Sequence, residues 1–95
     1  MNTKKAIKKL EEMIVTDLER DVIIHCYFNN DIIRTHITAK DIIPDSNREK
    51  VSIEYKDLSM EFNLANNNNI SIYKDDDVGS DIFDINSKII LEFLN

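Results

Sequence analysis

Three residues in the first half of the chain could bind a soft metal ion or take part in nucleophilic chemistry. They are His25, Cys26 and His36, the only histidines and the only cysteine among 95 residues. A structural zinc site usually has four ligands, and a catalytic Cys–His pair needs both side chains within hydrogen-bonding reach. His25 and Cys26 are neighbours in a predicted strand, so their side chains should point to opposite faces. We therefore expect neither site, and we predict that Cys26 is a small core residue.

An acidic stretch later in the chain matches part of a calcium-binding loop. Asp75, Asp77 and Asp81 are suitably spaced, but Gly79 stands where a ligand is needed, and Asn86 replaces the final bidentate glutamate. With a single glycine in the sequence there is also no glycine-rich phosphate loop. We expect no metal, no cofactor and no catalytic residues, so the protein is predicted not to be an enzyme.

The net charge of −6 lies in the C-terminal part of the sequence. Residues 1–56 contain ten basic and ten acidic residues, whereas residues 57–95 contain only Lys74 and Lys88 against eight acids. An acidic surface argues against nucleic acid as a direct ligand and favours a protein partner with a basic surface. The predicted partner-binding residues are Asp75, Asp76, Asp77, Asp81 and Asp84. The alternative is that these acids keep the protein soluble and cap a following helix.

A second candidate surface lies on a predicted β-hairpin formed by residues 21–28 and 32–38, in which apolar and polar residues alternate. A two-residue turn at Asn30-Asp31 would place His25 directly opposite His36. The residues predicted to point inward are Val22, Ile24, Cys26, Ile33 and Ile37. The outward residues that form the secondary partner-binding candidate are His25, Tyr27, Arg34 and His36.

The elements that must position these residues begin with an amphipathic helix over residues 3–18. Its apolar stripe consists of Ile7, Leu10, Ile14 and Leu18. Asn2 or Thr3 is the predicted N-cap residue. This stripe should pack onto one face of a sheet.

Further strands are predicted after the hairpin. Residues 50–56 and 58–64 alternate between apolar and polar types, which indicates two strands with one wet face, joined near Lys56-Asp57. Residues 70–73 form a short additional strand. The segment 41–47, which contains the only proline, is predicted to be a connection, and the asparagines at 66–69 are predicted to be a loop.

The last segment follows an acidic turn at residues 75–79. Ile82, Ile85, Ile89 and Phe93 recur at helical spacing, which predicts a C-terminal helix capped by Ser80 or Asp81. A strand over residues 88–94 is the alternative, because short apolar runs fit both periods.

These elements predict an α+β fold with a single domain over residues 1–95. An N-terminal helix packs on a four- to five-stranded antiparallel meander sheet, and a C-terminal helix follows. The order helix, three strands, helix resembles the double-stranded RNA-binding domain in outline. The last helix of that family begins with a basic cluster, and here the matching region is Asp75-Asp76-Asp77, so we do not assign the chain to that family.

Composition narrows the cellular setting. Leu, Ile, Val and Phe supply 30 residues, enough for a modest core. No apolar run approaches the roughly 20 residues of a membrane span, and no apolar secretory segment follows the N-terminal lysines. We expect a cytoplasmic protein. Sixteen isoleucines, eleven asparagines and nine lysines are typical of AT-rich genomes, such as those of low-GC bacteria and their phages.

Small size, acidity and the lack of a catalytic motif favour a binding function. Proteins from phages and mobile elements that inhibit bacterial defence nucleases, such as anti-CRISPR proteins, share these general properties. The predicted function is therefore inhibition of a nucleic-acid-handling enzyme, such as a nuclease, by occupying its basic surface. The alternatives are an immunity protein or antitoxin that neutralises a nuclease toxin, and a small regulatory adaptor domain. Nothing in the sequence indicates the oligomeric state.

Overall fold

The computed structural model describes residues 2–65 and 69–95, which fold into one α-helix, a short 3-10 turn at Ala39–Asp41 and eight antiparallel strands. The elements are α1 (Thr3–Thr16), β1 (Asp21–Phe28), β2 (Asp31–Thr38), β3 (Ile42–Asp45), β4 (Lys50–Tyr55), β5 (Leu58–Asn63), β6 (Ile70–Asp75), β7 (Ser80–Ile85) and β8 (Ile89–Phe93). The five-stranded sheet has the order β2-β1-β8-β7-β6, and the three-stranded sheet has the order β3-β4-β5. The α+β class is confirmed, but the predicted single meander is wrong because the strands divide between two sheets.

Helix α1 begins as predicted and ends early. The Asn2 side chain accepts a hydrogen bond from the backbone N–H of Lys5 (3.2 Å), so Asn2 is the N-cap. The helix ends at Thr16 because Asp17 adopts an extended conformation, with φ −157°. Leu18 therefore lies beyond the helix and is 50% exposed, so its predicted place in the apolar stripe was wrong.

One hydrophobic core lies between the helix and the inner faces of the two sheets. The helix contributes four buried residues, which are Ala6, Ile7, Leu10 and Ile14. The five-stranded sheet contributes Val22, Ile24, Ile37, Ile70, Phe83, Ile85, Leu91 and Phe93. The three-stranded sheet contributes Ile42, Val51 and Ile53, with Met60 and Phe62 partly buried beside them.

The predicted C-terminal helix does not exist, because residues 80–93 form the β7–β8 hairpin. Asn86 and Ser87 form its turn with φ values of +56° and +57°, and the Asp84 carboxylate accepts a hydrogen bond from the Ser87 N–H (2.7 Å). Ser80 and Asp81 therefore begin a strand and cap no helix. The alternative prediction, a strand over 88–94, is confirmed by β8.

Two smaller predictions also need correction. The segment 41–47 contains strand β3, which pairs only with β4, and this edge position tolerates Pro44 because no second ladder needs its missing N–H. Ile33 is not inside the core; it is 51% exposed near the tip of the β1–β2 hairpin. Of the predicted loop at 66–69, residues 66–68 lie outside the described residues.

The phase of strand β4 can be tested with two neighbouring residues. Ile53 is fully buried, whereas Glu54 is exposed on the opposite face. We expect Ile53→Asp to unfold the domain, because it loses roughly 1.5–3 kcal/mol of burial and also places a charge in the core. Glu54→Lys should change the free energy of unfolding by no more than about 0.5 kcal/mol. Circular dichroism during urea denaturation measures both values, and similar losses would contradict this strand phase.

Candidate partner-binding surfaces

The acidic turn between β6 and β7 is held by its own hydrogen bonds. The Asp75 carboxylate accepts from the Asp77 N–H (3.0 Å), and the Asp75 carbonyl accepts from the Gly79 N–H (2.7 Å). Gly79 has φ +74°, and a Cβ atom there would lie 3.0 Å from the Asn95 side-chain nitrogen. Asp76 and Asp77 are exposed. The turn thus presents two carboxylates to solvent on a defined backbone.

The other two predicted acidic residues lie elsewhere. Asp81 forms ion pairs with Arg20 (2.9 Å) and Lys74 (3.7 Å) at the base of the turn. Asp84 is buried on the outer face of the five-stranded sheet, where it stabilises the β7–β8 turn through Ser87. The predicted five-residue site therefore divides: Asp75, Asp76 and Asp77 stay together with Asp81 beneath them, and Asp84 does not join them.

The fold adds acidic residues to this end of the molecule. A cleft of about 520 Å³ separates the segment that follows α1 from the β6–β7 hairpin, and its lining includes Asp17, Glu19, Asp21 and Asp81. We define the acidic end as Asp17, Glu19, Asp21, Asp75, Asp76, Asp77 and Asp81. Its basic neighbours are Arg20 and Lys74, both paired with Asp81, and Lys40, which contacts Glu19 at 2.9 Å. The sequence gives no signal for this grouping, because Asp75 follows Asp21 by 54 positions along the chain.

Arg20 is the structural residue of the acidic end. Its Nε donates to the Leu94 carbonyl (2.7 Å), and one terminal nitrogen donates to the Phe93 carbonyl (3.1 Å) and to Asp81 (2.9 Å). The guanidinium also lies over the Phe93 ring, 5.6 Å from its centroid. These contacts join the start of β1 to the end of β8, so the role of Arg20 is to stabilise the fold.

The secondary candidate surface is brought together on the outer face of the five-stranded sheet. The β1–β2 turn is Asn29-Asn30, so His25 pairs with Arg34, and the expected pairing of His25 with His36 was wrong. His36 lies one row away, next to Ile23, and its ring nitrogen is 3.6 Å from Asp21.

A chain of hydrogen bonds connects four residues of this face. Arg34 Nε donates to His25 Nδ1 (3.2 Å), so the other ring nitrogen, Nε2, carries the proton and donates to Glu92 (2.9 Å). The Ser80 hydroxyl donates to the second oxygen of Glu92 (2.9 Å). Sequence inspection missed Glu92 and Ser80 because residues 80–94 were predicted to be helical.

The hydroxyl of this array is inaccessible to a substrate. Ser80 is 1% exposed, and its hydroxyl donates to the Glu92 carboxylate. Cys26 lies on the opposite face of β1, where burial raises the pKa of its thiol. The geometry therefore favours a structural or contact role for the outer face.

Tyr73 extends the outer face towards the β6 edge. Its pKa is raised by partial burial and by the nearby carboxylates of Asp84 and Asp75, with a smaller effect of Tyr27. The ring of Tyr27 stacks on His25 with the centroids 6.3 Å apart. Aromatic rings of this face thus lie on β1 and on the edge strand β6.

Within residues 2–65 and 69–95, no three His, Cys, Asp or Glu side chains converge in a way that could hold a metal ion. In the same part of the chain no helix is long and apolar enough to cross a membrane. No protein-family model matches this chain, and no curated protein or solved structure resembles it significantly. A functional proposal must therefore rest on the two surfaces described above.

The structural role of Arg20 can be tested by substitution. We expect Arg20→Gln to lower the free energy of unfolding by about 1.5–3 kcal/mol, because it removes charge-assisted hydrogen bonds and leaves Asp81 less compensated. Arg34→Gln is the matched control, since Arg34 is exposed and bonds only to His25 in the described structure. Equal effects of the two substitutions in chemical denaturation would contradict the role of Arg20.

The reactivity of Cys26 provides a pH-dependent test. Because burial raises its pKa, the folded protein should react with a disulfide reagent more slowly at pH 8 than the denatured protein does. The neutral thiol is favoured in the fold, so its contribution to stability is present below the unfolded pKa of about 8.5 and is lost as pH rises through the folded pKa. A folded-state rate equal to that of the denatured chain would contradict this assignment.

Proposed function

We propose that this protein is a cytoplasmic inhibitor that binds a nucleic-acid-handling enzyme, in the manner of anti-CRISPR proteins, by covering a basic surface on its target. The observation that supports the proposal is the acidic end, where the fold brings Asp17, Glu19 and Asp21 beside Asp81, at the base of the turn that carries Asp75–Asp77. Enzymes that act on nucleic acids present lysines and arginines to phosphates, and exposed carboxylates can occupy the same positions.

The distribution of charge over the helix supports a directed encounter. Lys4, Lys5, Lys8 and Lys9 are all exposed near the N-terminus of α1. The 14-residue helix is about 20 Å long, and its C-terminus meets the acidic end. The protein is thus polarised, and such polarisation orients a charged molecule as it approaches a partner of opposite sign.

The geometry of the turn also favours binding. Asp76 and Asp77 are exposed and have no cationic partner among the ion pairs of the described residues. Hydrogen bonds that Asp75 accepts from the N–H groups of Asp77 and Gly79 hold the loop that carries them. A partner rich in lysine or arginine would relieve the repulsion between these carboxylates without a large loss of loop entropy.

The partner can be identified with the tagged protein as bait in a lysate of a low-GC bacterium, followed by mass spectrometry. Recovery of a defence nuclease would support the proposed inhibitor. Recovery of a nuclease toxin would favour an immunity protein, which would use the same surface chemistry. Inhibition of the recovered enzyme is then measured in a nuclease assay.

The binding surface is tested with the triple variant Asp75→Asn, Asp76→Asn, Asp77→Asn. Asparagine at 75 retains an oxygen that can accept from the backbone of residue 77, so the fold should be unchanged. We expect the association rate with the identified partner to fall roughly tenfold and its dependence on salt to weaken, because long-range attraction is lost. Surface plasmon resonance over a range of ionic strength measures both.

A matched control removes three acids from the opposite sheet. Glu54→Gln, Asp57→Asn, Glu61→Gln changes the net charge by the same amount at exposed positions of the β4–β5 hairpin. This variant should retain most of the association rate and salt dependence. If both triple variants behave alike, only net charge matters and the acidic end is not the binding site.

A further inference from the structure

The outer face of the five-stranded sheet carries several large apolar side chains among polar ones. The apolar members are Ile23, Tyr27, Ile32, Tyr73, Ile82 and Ile90, and the polar members include Asp21, His25, Arg34, His36, Ser71, Asp75, Ser80, Asp84 and Glu92. Ile32 and Tyr73 are about half exposed. The outer face of the three-stranded sheet differs, since Ser52, Glu54, Ser59 and Glu61 dominate it and Ile43 is its one exposed large apolar residue.

The strand sequences carry the same signal. An antiparallel strand with one wet face normally alternates apolar and polar residues, whereas a strand covered on both faces is almost continuously apolar. Residues 22–24 of β1 and 89–91 of β8 are Val-Ile-Ile and Ile-Ile-Leu. The helix and the three-stranded sheet cover the inner face only, so the described chain leaves the outer face without a covering layer.

We propose that a second copy of this chain covers the outer face, in a symmetric dimer whose twofold axis runs along β8. β8 is the central strand of five, so such an axis places β8 against its own copy, β1 against β7 of the partner copy, and β2 against β6. Ile90 then meets the same residue of the other copy. Ile23, which lies in one row with Glu92 and Ile82 across the sheet, then lies over Ile82 of the other copy, of which 6% is exposed.

The charges of the face favour this arrangement. Arg34 lies on β2 and its guanidinium leans over β1 to reach His25, while Asp84 lies on β7. The proposed axis brings β1 of one copy over β7 of the other, so Arg34 approaches Asp84 twice in the dimer. His36 likewise approaches Tyr73 and Asp75 on the opposite β6. An axis across the strands through the row of Ile90 would instead place Arg34 against Arg34.

Other charges on the face are already paired within one chain. Both carboxylate oxygens of Glu92 accept hydrogen bonds, from His25 and Ser80. These bonds reduce the electrostatic repulsion between the two Glu92 carboxylates, which lie close together near the axis. Asp21 contacts His36. Lys88 lies at the end of β8, at the margin of the face, where water can solvate it.

The size of the face predicts a dimer of low affinity. Five strands spaced about 4.8 Å apart and about 20 Å long give a flat area of roughly 450 Å², below the roughly 800 Å² per partner of a standard interface. An axis parallel to the strands also leaves both acidic ends at the same end of the dimer. The dimer would therefore present two copies of the acidic end side by side.

Sedimentation equilibrium tests the proposal from about 1 μM to about 500 μM, which covers the affinities expected of a small interface. We expect a reversible monomer–dimer equilibrium in the wild-type protein. Ile90→Lys should raise the dissociation constant at least about a hundredfold, because it places two ammonium groups together on the axis. Ile43→Lys, the same substitution on the outer face of the other sheet, should leave it unchanged.

Further variants test the contribution of the Arg34 charge to the dimer and the position of Ile90 on its axis. Arg34→Glu should weaken the dimer roughly tenfold or more, and Arg48→Glu, at an exposed position between β3 and β4, should have little effect. In a Cys26→Ala background, a short bismaleimide should cross-link the Ile90→Cys variant and not the Ile43→Cys variant. Circular dichroism establishes that each variant is folded.

A wild-type protein that remains monomeric over the whole concentration range would overturn the proposal, and the face would then belong to a different partner. Equal effects of Ile90→Lys and Ile43→Lys, or of Arg34→Glu and Arg48→Glu, would overturn it as well. All these measurements use the protein alone. Their failure would therefore leave the proposed inhibitor function standing, and a failure of the acidic-end experiment would leave the dimer standing.

Discussion

The fold depends on the insertion of the last strand between the first and the seventh. β8 pairs with β1 from Val22–Phe93 to Cys26–Ile89 and with β7 along its other edge. Without it the five-stranded sheet would separate into two hairpins, neither of which could bury its apolar face alone. Arg20 locks this junction through the carbonyls of Phe93 and Leu94. Because the paired residues are far apart in sequence, forming this junction closes a large loop, which is expected to slow folding.

The sequence was sufficient to predict the elements whose two faces differ in polarity. Helix α1, the β1–β2 hairpin and the β4–β5 hairpin all have one apolar and one polar side, and each was located to within about two residues. It was not sufficient for residues 80–93, where both faces of the strands carry large apolar residues. Ile82 and Ile85 lie on opposite faces of β7, and Ile89 and Phe93 share the inner face of β8, yet together they reproduce helical spacing. The turn at Asn86-Ser87 was the available signal for a hairpin.

The same misreading explains why only part of the predicted acidic site is assembled. Residues three apart lie on one side of a helix, so Asp81 and Asp84 would have joined one surface there. On a strand, residues an odd number apart point to opposite faces, and the two aspartates separate accordingly. Asp17, Glu19 and Asp21 could not be assigned to the site from sequence, because only the β1–β8 junction brings them beside the β6–β7 hairpin. The secondary candidates His25, Tyr27, Arg34 and His36 all lie on one face of the sheet, since one hairpin carries them all.

The distribution of charged residues along helix α1 destabilises the helix. The first turn contains no acidic residue and the last turn no basic residue, whereas the macrodipole favours acids at the N-terminus and bases at the C-terminus. Each unfavourable charge costs about 0.3–1 kcal/mol when weakly screened, which is substantial for a domain with a modest core. Reversing these charges would improve the helix and would erase the polarity between its lysines and the acidic end. The two effects are therefore opposed, and the observed sequence keeps the polarity, which is the property that an electrostatically guided binding protein needs.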